Sequence, residues 1–545
     1  MSAQTEKNLL PGSIGEVLHY LDPSCLRGED HLRWPPNTFI LAAYVLKQSG
    51  AYVNIIEGWP PSLLELELHD AELDNDTTWA DWMSDIGKDW RSAYSKQQGV
   101  PEEIRRWWKI VVSNSHQEVR GLSSQKSLCA ALIHLMAAAD EAAEGAGIPA
   151  SSDSTPDKTF AKQALELLET IASLSTNVVA TKASVLPKLH APLGGLTLRS
   201  FSHNLALHVG YEARPSWRIV SRESHASLNL VLAPWPKVVR PKQFSEGQCN
   251  LKEMPDGVGV VNYEPEDGDV IEWIKKLIQK AKEFSPRIDG VVMPEMSLSR
   301  DKYDLVRREI FEAAPDAFVI CGVLEKAPGN NSADNYAIFD ASAFGAPQNP
   351  IVQHKHHRWK LDRSQIETYG LGSCISPNDI WWENINVKDR GVNFIVLNDE
   401  VTLCCLICED LARQDPVAEL VRSVGPSLVI ALLMDAPQLN IRWPARYATV
   451  LAEDPGCSVL TITSAGMLDL SCHRHGTKSP RSISLWRDAR SSAPTEIELP
   501  SDADGMLIIL CTEFVEEWTA DGRSDRGTTG YPRLAGLHPL RLVSS

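Results

Sequence analysis

Cys408 closes an apolar run, Val401–Ile407 (VTLCCLI), and is followed at once by Glu409 and Asp410. The run suits a strand buried on both faces, and apolar spacing from Leu411 to Val424 predicts a helix directly after it. A thiol at such an elbow meets outward-pointing backbone N–H groups, which favour a thiolate and the negative charge that develops when it attacks carbon. A lone cysteine in an apolar strand is more often a core residue, but two further segments argue for chemistry here. Asp289–Glu295 (DGVVMPE) sets a carboxylate just past a short strand, Gly290–Met293. Ligand chemistry concentrates at such strand ends, and partial burial there raises a carboxyl toward the range of a general base. Pro350–Leu361 (PIVQHKHHRWKL), read as a strand, puts Lys355, His357 and Trp359 on one face and His354, His356 and Arg358 on the other. A lysine aimed into a cleft can donate to a developing oxyanion. Thiol, carboxylate and ammonium together are groups that can carry covalent attack on an electrophilic carbon.

The elements that must position these groups change character near residue 215 of the 545. A chain this long carries two or three domains, and the reading here is a mainly helical domain over 1–215 and an α/β domain over 216–545. Asn37–Gln48, Pro101–Ser113, Gln125–Glu144 and Lys158–Leu174 show apolar residues at helical intervals. Gly147–Asp157 is a polar Pro/Ser-rich linker. Tryptophans at helical spacing, such as Trp79, Trp82 and Trp90, signal core packing. After Trp217, strands at Leu228–Pro234, Phe318–Leu324 and Tyr336–Ala341 alternate with helices at Asp301–Ala314 and Ile441–Glu453. Asn393–Leu397 and Val401–Ile407 form a hairpin about Asn398–Glu400. Such alternation implies layered α/β architecture.

Composition removes several function classes. The net charge of −18 argues against sequence-blind nucleic-acid binding. No run approaches the roughly 18 apolar residues of a membrane helix, and the first residues lack a signal pattern, so the expectation is a cytoplasmic protein without a membrane partner. Eleven cysteines without framework spacing read as reduced thiols. Cys405 and Cys408 form a CxxC, but on a strand residues three apart face opposite ways, roughly 10 Å apart, beyond disulfide reach. The His354–Arg363 segment has no standard zinc spacing, and Cys472, His473 and His475 fall in a loop-like stretch where a metal site is not expected. Nucleotide and serine-hydrolase fingerprints are missing, so neither metal nor cofactor is expected.

A strand ending in Glu, a later strand carrying Lys, and an apolar strand ending in Cys-Glu-Asp, in that order, resemble the nitrilase superfamily of carbon–nitrogen hydrolases over roughly residues 225–515. The stretch from Asn335 (NYAIFDASAFG) looks like that family's strand pair before the lysine, and Gly425–Leu433 with Arg446–Gly466 is similar to its strand, helix and strand after the cysteine. The resemblance implies a four-layer α-β-β-α sandwich that dimerises or oligomerises through its α/β domain. It implies hydrolysis of non-peptide carbon–nitrogen bonds with Glu295 as general base, Lys355 as oxyanion stabiliser and Cys408 as nucleophile, the backbone N–H of Glu409 completing the oxyanion site. The segment departs from the family's Lys-x-His-Leu form, and Lys360 contests the role; Lys355 is preferred because it follows PIVQH as the family's lysine follows its strand. The gap from Lys355 to Cys408 is longer than usual, which places an insertion around Gly372–Asp389. Glu367 is the candidate for a second carboxylate buttressing the lysine. A rival reading makes the domain a binding or assembly module in a larger complex, as in bacterial defence cassettes, with residues 1–215 taking a partner protein.

Overall fold

A computed structural model describes residues 12–53, 78–148, 158–191, 197–210, 212–220, 224–248, 254–266, 268–327, 329–341, 349–388, 390–472 and 480–542. Most of the Pro/Ser-rich linker, and His473 and His475, lie outside them. The chain divides into two compact units: Met1–Tyr211 with Ser423–Gly425 and Phe514–Thr529, and Glu212–Arg422 with Pro426–Glu513 and Gly530–Ser545. No helix among the described residues is long and apolar enough to cross a membrane.

The first unit holds helices Ile14–Leu21, Pro35–Ser49, Trp79–Ser95, Glu102–Ser113, Lys126–Ala142 and Lys158–Ile171, and one antiparallel pair, Ser184–Pro187 with Leu205–His208. Lys126–Ala142 is buried almost all round, as befits a central helix. Its His134 meets the rings of Trp82 and Trp107, and Trp90 Nε1 donates to the Leu32 carbonyl, so these tryptophans are core residues. Asp140 accepts from the backbone N–H groups of His203, Asn204 and Leu205 and from Arg523. The buried Arg523 guanidinium also engages Glu141 and Asp521, so this acidic cluster is neutralised by the protein itself.

Two histidines make this unit acid-sensitive. Burial pushes His31 down to about 4, and burial, with the charge of Arg106 adding to it, pushes His134 down to about 3. The unfolded chain takes up these protons first as pH falls below about 6.5. Stability is therefore complete above that pH and declines as pH falls toward the folded values. Urea titrations followed by tryptophan fluorescence are expected to lose a few kcal/mol between pH 7 and pH 4, and His134→Leu to flatten that dependence. An unchanged slope in the variant would show that His134 is not what titrates.

The second unit is built on two seven-stranded sheets and a smaller four-stranded one. In the first, the strand that carries Glu295, Gly290–Ser299, runs parallel to Leu228–Leu232 on one side and Phe318–Glu325 on the other. Asp334–Asp340 and Ile351–His354 continue this sheet antiparallel. Helices Val270–Lys282 and Arg300–Ala313 cover it, packing Ile274, Leu277 and Val306 against Val291 and Val319. In the second sheet the cysteine strand, Thr402–Ile407, pairs antiparallel with Gly391–Val396 and parallel with Leu428–Leu432, which pairs with Ser458–Ile462. Thr402–Ile407, Leu428–Leu432 and Ser458–Ile462 are buried throughout, which is why they read as continuous apolar runs rather than alternating ones. The glutamate strand lies against Leu428–Leu432 and Ser458–Ile462, so the two seven-stranded sheets touch along it.

The helix expected over 411–424 is broken. A tight turn, Cys408–Leu411, precedes an irregular segment, and regular helix resumes only at Glu419–Val424. Asp415 precedes Pro416 and is extended (φ −96°, ψ 140°), because a proline ring excludes the helical region for the residue before it.

Candidate active site

The cysteine strand delivers Cys408 at its C-terminal end, and there the backbone turns into the left-handed region with φ +46°. A non-glycine residue held there is strained, and such strain clusters at functional sites. Glu295 is placed by a different device. Its strand does not stop at Met293 but continues to Ser299 through a bulge, in which Pro294, Glu295, Met296 and Ser297 stand opposite Gly322 alone. Ser297 Oγ donates to the Pro294 carbonyl at 2.6 Å and so closes the bulge on itself. Met296 also has positive φ, +48°. Bulges of this kind re-aim side chains, and here the carboxyl is turned inward, 2% exposed.

Lys355 lies just beyond its strand, which ends at His354; Lys355–Trp359 is a loop rather than the continuous strand expected. Two contacts hold that loop. Lys355 N donates to the Asn335 carbonyl at 3.0 Å. Asp410, two residues after the cysteine, accepts from His356 N through both oxygens (3.2 and 3.1 Å) and from His357 Nδ1 at 2.9 Å. The Cys-Glu-Asp turn thus ties the lysine loop to the cysteine. Lys360 begins the short Lys360–Leu361 strand with its ammonium over the Trp382 ring, so Lys355 is the lysine brought to the glutamate.

Lys355 Nζ donates to Glu295 Oε1 at 2.8 Å and to Glu383 Oε2 at 2.6 Å. Asn335 Nδ2 bridges the same carboxylates, 2.8 Å from Glu295 Oε1 and 2.8 Å from Glu383 Oε1. Glu383 Oε2 also accepts from Trp359 N at 2.9 Å. The buttressing carboxylate is therefore Glu383, at the end of the Ile380–Glu383 strand inside the stretch read as an insertion. Glu367 pairs with Arg363 instead. The signal was present in the sequence: IWWE, like VVMPE and LICE, is an apolar strand that ends in a carboxylate. Cys405 lies within the strand, and it and Cys408, the two members of the CxxC, are both free thiols. The Glu409 carboxylate turns outward to Arg413, leaving its backbone N–H in the first turn after the thiol.

Burial governs the electrostatics. It pushes the Cys408 thiol well above its ordinary range; Glu295 adds to the rise and Lys355 opposes it. Cys408 is therefore a neutral thiol rather than the thiolate that the elbow alone implied, and an attack by it would require a base. Burial also raises the Glu295 carboxyl above the usual carboxylate range, against the pull of Lys355 and with the charge of Glu383 adding to the rise. Burial would lower Lys355, but Glu295, Glu383 and Cys408 outweigh it and hold the ammonium well above an ordinary lysine. Glu295 Oε1 is doubly engaged, while Oε2 has no hydrogen-bond partner among the described residues. A base needs such a free oxygen.

A cavity of about 290 Å³ adjoins this cluster. Phe244, Trp359 and Ile385 make much of its wall apolar, and it reaches the cluster through Glu383 and Met296; Cys408, 4% exposed, is not among its lining side chains.

No family model matches the chain, and no curated protein matches it. Solved structures do. Structures of the nitrilase superfamily are similar to about half of this chain. One, a Saccharomyces cerevisiae member of branch 10 of the nitrilase superfamily, is 10% identical with a TM-score of 0.32, covering 50% of this chain and 86% of its own. A carbon–nitrogen hydrolase from Helicobacter pylori G27 is 12% identical with a TM-score of 0.28, over 49% of this chain and 83% of its own. The C. elegans NitFhit protein is 13% identical with a TM-score of 0.32, over 53% and 61%.

Proposed function

We propose that the second unit is a carbon–nitrogen hydrolase of nitrilase type, an α-β-β-α sandwich that cleaves amides or nitriles through a thioester on Cys408. The observation that carries this reading is the divided Glu295 carboxylate: one oxygen is fixed by Lys355 and Asn335, the other is free and buried beside a neutral thiol. Glu295 Oε2 takes the thiol proton as Sγ attacks the substrate carbon. Lys355 and the Glu409 N–H hold the oxygen that becomes negative. With an amide, ammonia or an amine leaves with the proton from Glu295; with a nitrile, attack gives a thioimidate, to which a first water adds before ammonia leaves. Water deprotonated by Glu295 then attacks the thioester and frees the acid, and the proton returns to the thiol. Glu383 keeps Lys355 charged and oriented. Substrate reaches the thiol from the 290 Å³ cavity by displacing the flexible thioethers of Met296 and Met434, which line it.

The test is alkylation of Cys408 by iodoacetamide, followed residue by residue with peptide mass spectrometry. Glu295→Gln is expected to slow the reaction at Cys408 about 100-fold at neutral pH, while the half-buried Cys374 and Cys511 react as before. Equal reactivity at Cys408 in the two proteins would remove Glu295 as its base. Cys408→Ala should in addition abolish hydrolysis across a panel of amides and nitriles.

A further inference from the structure

Asp435 offers a second free oxygen close to the thiol. The cysteine strand and Leu428–Leu432 are parallel neighbours, with Ile407 opposite Leu432, so both chains leave the sheet side by side at Cys408 and Leu433. Asp435 follows two residues later, and the intervening Met434 lines the cavity that Glu383 and Met296 also line. Its backbone is clamped: Thr463 Oγ1 donates to the Asp435 carbonyl at 2.6 Å and accepts from Asp435 N at 3.2 Å. Its carboxylate is divided like that of Glu295. Tyr369 Oη and Arg442 Nη2 both donate to Oδ1, at 2.8 and 2.9 Å. Oδ2 is buried and has no partner among the described residues, in a side chain that is 7% exposed.

A buried acceptor left unmatched is costly, and Tyr369, Arg442 and Thr463 are arranged to keep this one unmatched. We propose that Asp435 Oδ2 accepts an N–H of the substrate, which makes the site selective for amides over nitriles of the same carbon skeleton. An amide nitrogen carries hydrogens to donate; a nitrile nitrogen carries none. Oδ2 would hold the nitrogen of the scissile bond while Lys355 holds the oxygen, which orients the amide plane for attack by Sγ. Burial is the main reason the Cys408 thiol is raised, but Asp435 is among the charges that add to it, consistent with this proximity. The inference rests on the nucleophile reading above and goes beyond it in choosing the substrate class.

The experiment compares chloroacetamide with chloroacetonitrile on the full-length protein. In either case Sγ forms a bond to the methylene carbon, chloride leaves, and the thiol proton passes to Glu295. Rates at Cys408 are read by peptide mass spectrometry and their ratio is normalised to the ratio for glutathione. The wild-type protein is expected to favour the amide by at least about tenfold beyond glutathione. In Asp435→Asn the amide oxygen stays on Tyr369 and Arg442 and an NH₂ replaces Oδ2, so the ratio should fall to that of glutathione or below. Tyr369→Phe keeps Oδ2 and should keep the preference. A wild-type ratio equal to that of glutathione overturns the proposal, even if the Asp435→Asn protein does not fold; so does an unchanged ratio in Asp435→Asn. If Cys408 reacts with Glu295 dependence but without amide preference, only the role of Asp435 falls. If neither reagent modifies Cys408 while Cys374 and Cys511 react, the nucleophile reading falls and takes this inference with it.

Discussion

Lys355→Met is expected to cost about 3–5 kcal/mol of stability and to abolish hydrolysis. Lys355 is 1% exposed and its ammonium is shared between Glu295 and Glu383, at 2% and 5%. Burying three charges is unfavourable in itself, and the cluster persists because every charge is paired. Removing the cation leaves two carboxylates bridged only by Asn335 Nδ2 and shut off from water. They answer by taking up protons, so the folded variant binds more protons than the unfolded chain as pH rises past the ordinary carboxylate range. Its penalty should therefore be largest at pH 7 and shrink as pH falls toward 4. Urea titrations of both proteins at pH 7 and pH 4.5 measure this. A variant as stable as the wild type at pH 7 would show that the carboxylates reach solvent and that the cluster is not sealed. On activity, if Lys355 is the oxyanion donor proposed above, its loss alone is worth on the order of 100-fold or more, and the unbuttressed Glu295 adds to it.

Gly322→Ala should act through the backbone of Glu295, the proposed general base. A Cβ at this position would lie 2.5 Å from Glu295 Cα and 2.7 Å from Met296 N, and would also press on the Pro294 carbonyl oxygen. These are backbone atoms of the neighbouring strand, not the ends of flexible side chains, so the bulge itself must move. Overpacking of this kind costs about 1–3 kcal/mol, and a displacement of about 1 Å in the base costs on the order of 100-fold in rate. The expected result is a folded protein with a lowered urea midpoint and a Cys408 alkylation rate that falls toward that of Glu295→Gln. Wild-type alkylation in Gly322→Ala would mean that the bulge absorbs the methyl group without moving the carboxylate.

The candidate residues were legible because buried strands in an α/β sheet are continuous apolar runs, so a carboxylate or thiol that interrupts or ends such a run stands out. VVMPE and LICED announced Glu295 and Cys408 in that way, and the same rule applied to IWWE would have found Glu383. Glu367 lies nearer to Lys355 in sequence but pairs with Arg363. Sequence distance is a poor guide here because Lys355 and Glu383 come from different sheets. The Lys355–Trp359 loop read as strand because alternation cannot distinguish a strand from a loop pinned by outside contacts. Those contacts, from Asp410 and Asn335, come from residues 54 and 20 positions away.

What the sequence determined by itself was the order of Glu, Lys and Cys, their setting in or directly after strand-forming segments, and the chemistry that those residue types can share. Local pattern is enough for that, because strand burial and residue type are properties of short segments. The tertiary structure alone decided the protonation and the partners. It made the thiol neutral by burying it, freed one oxygen each on Glu295 and Asp435, and set four residues of one strand against a single glycine of the next. Those outcomes depend on which segments meet and on how completely water is excluded where they do, and neither is written in any one segment.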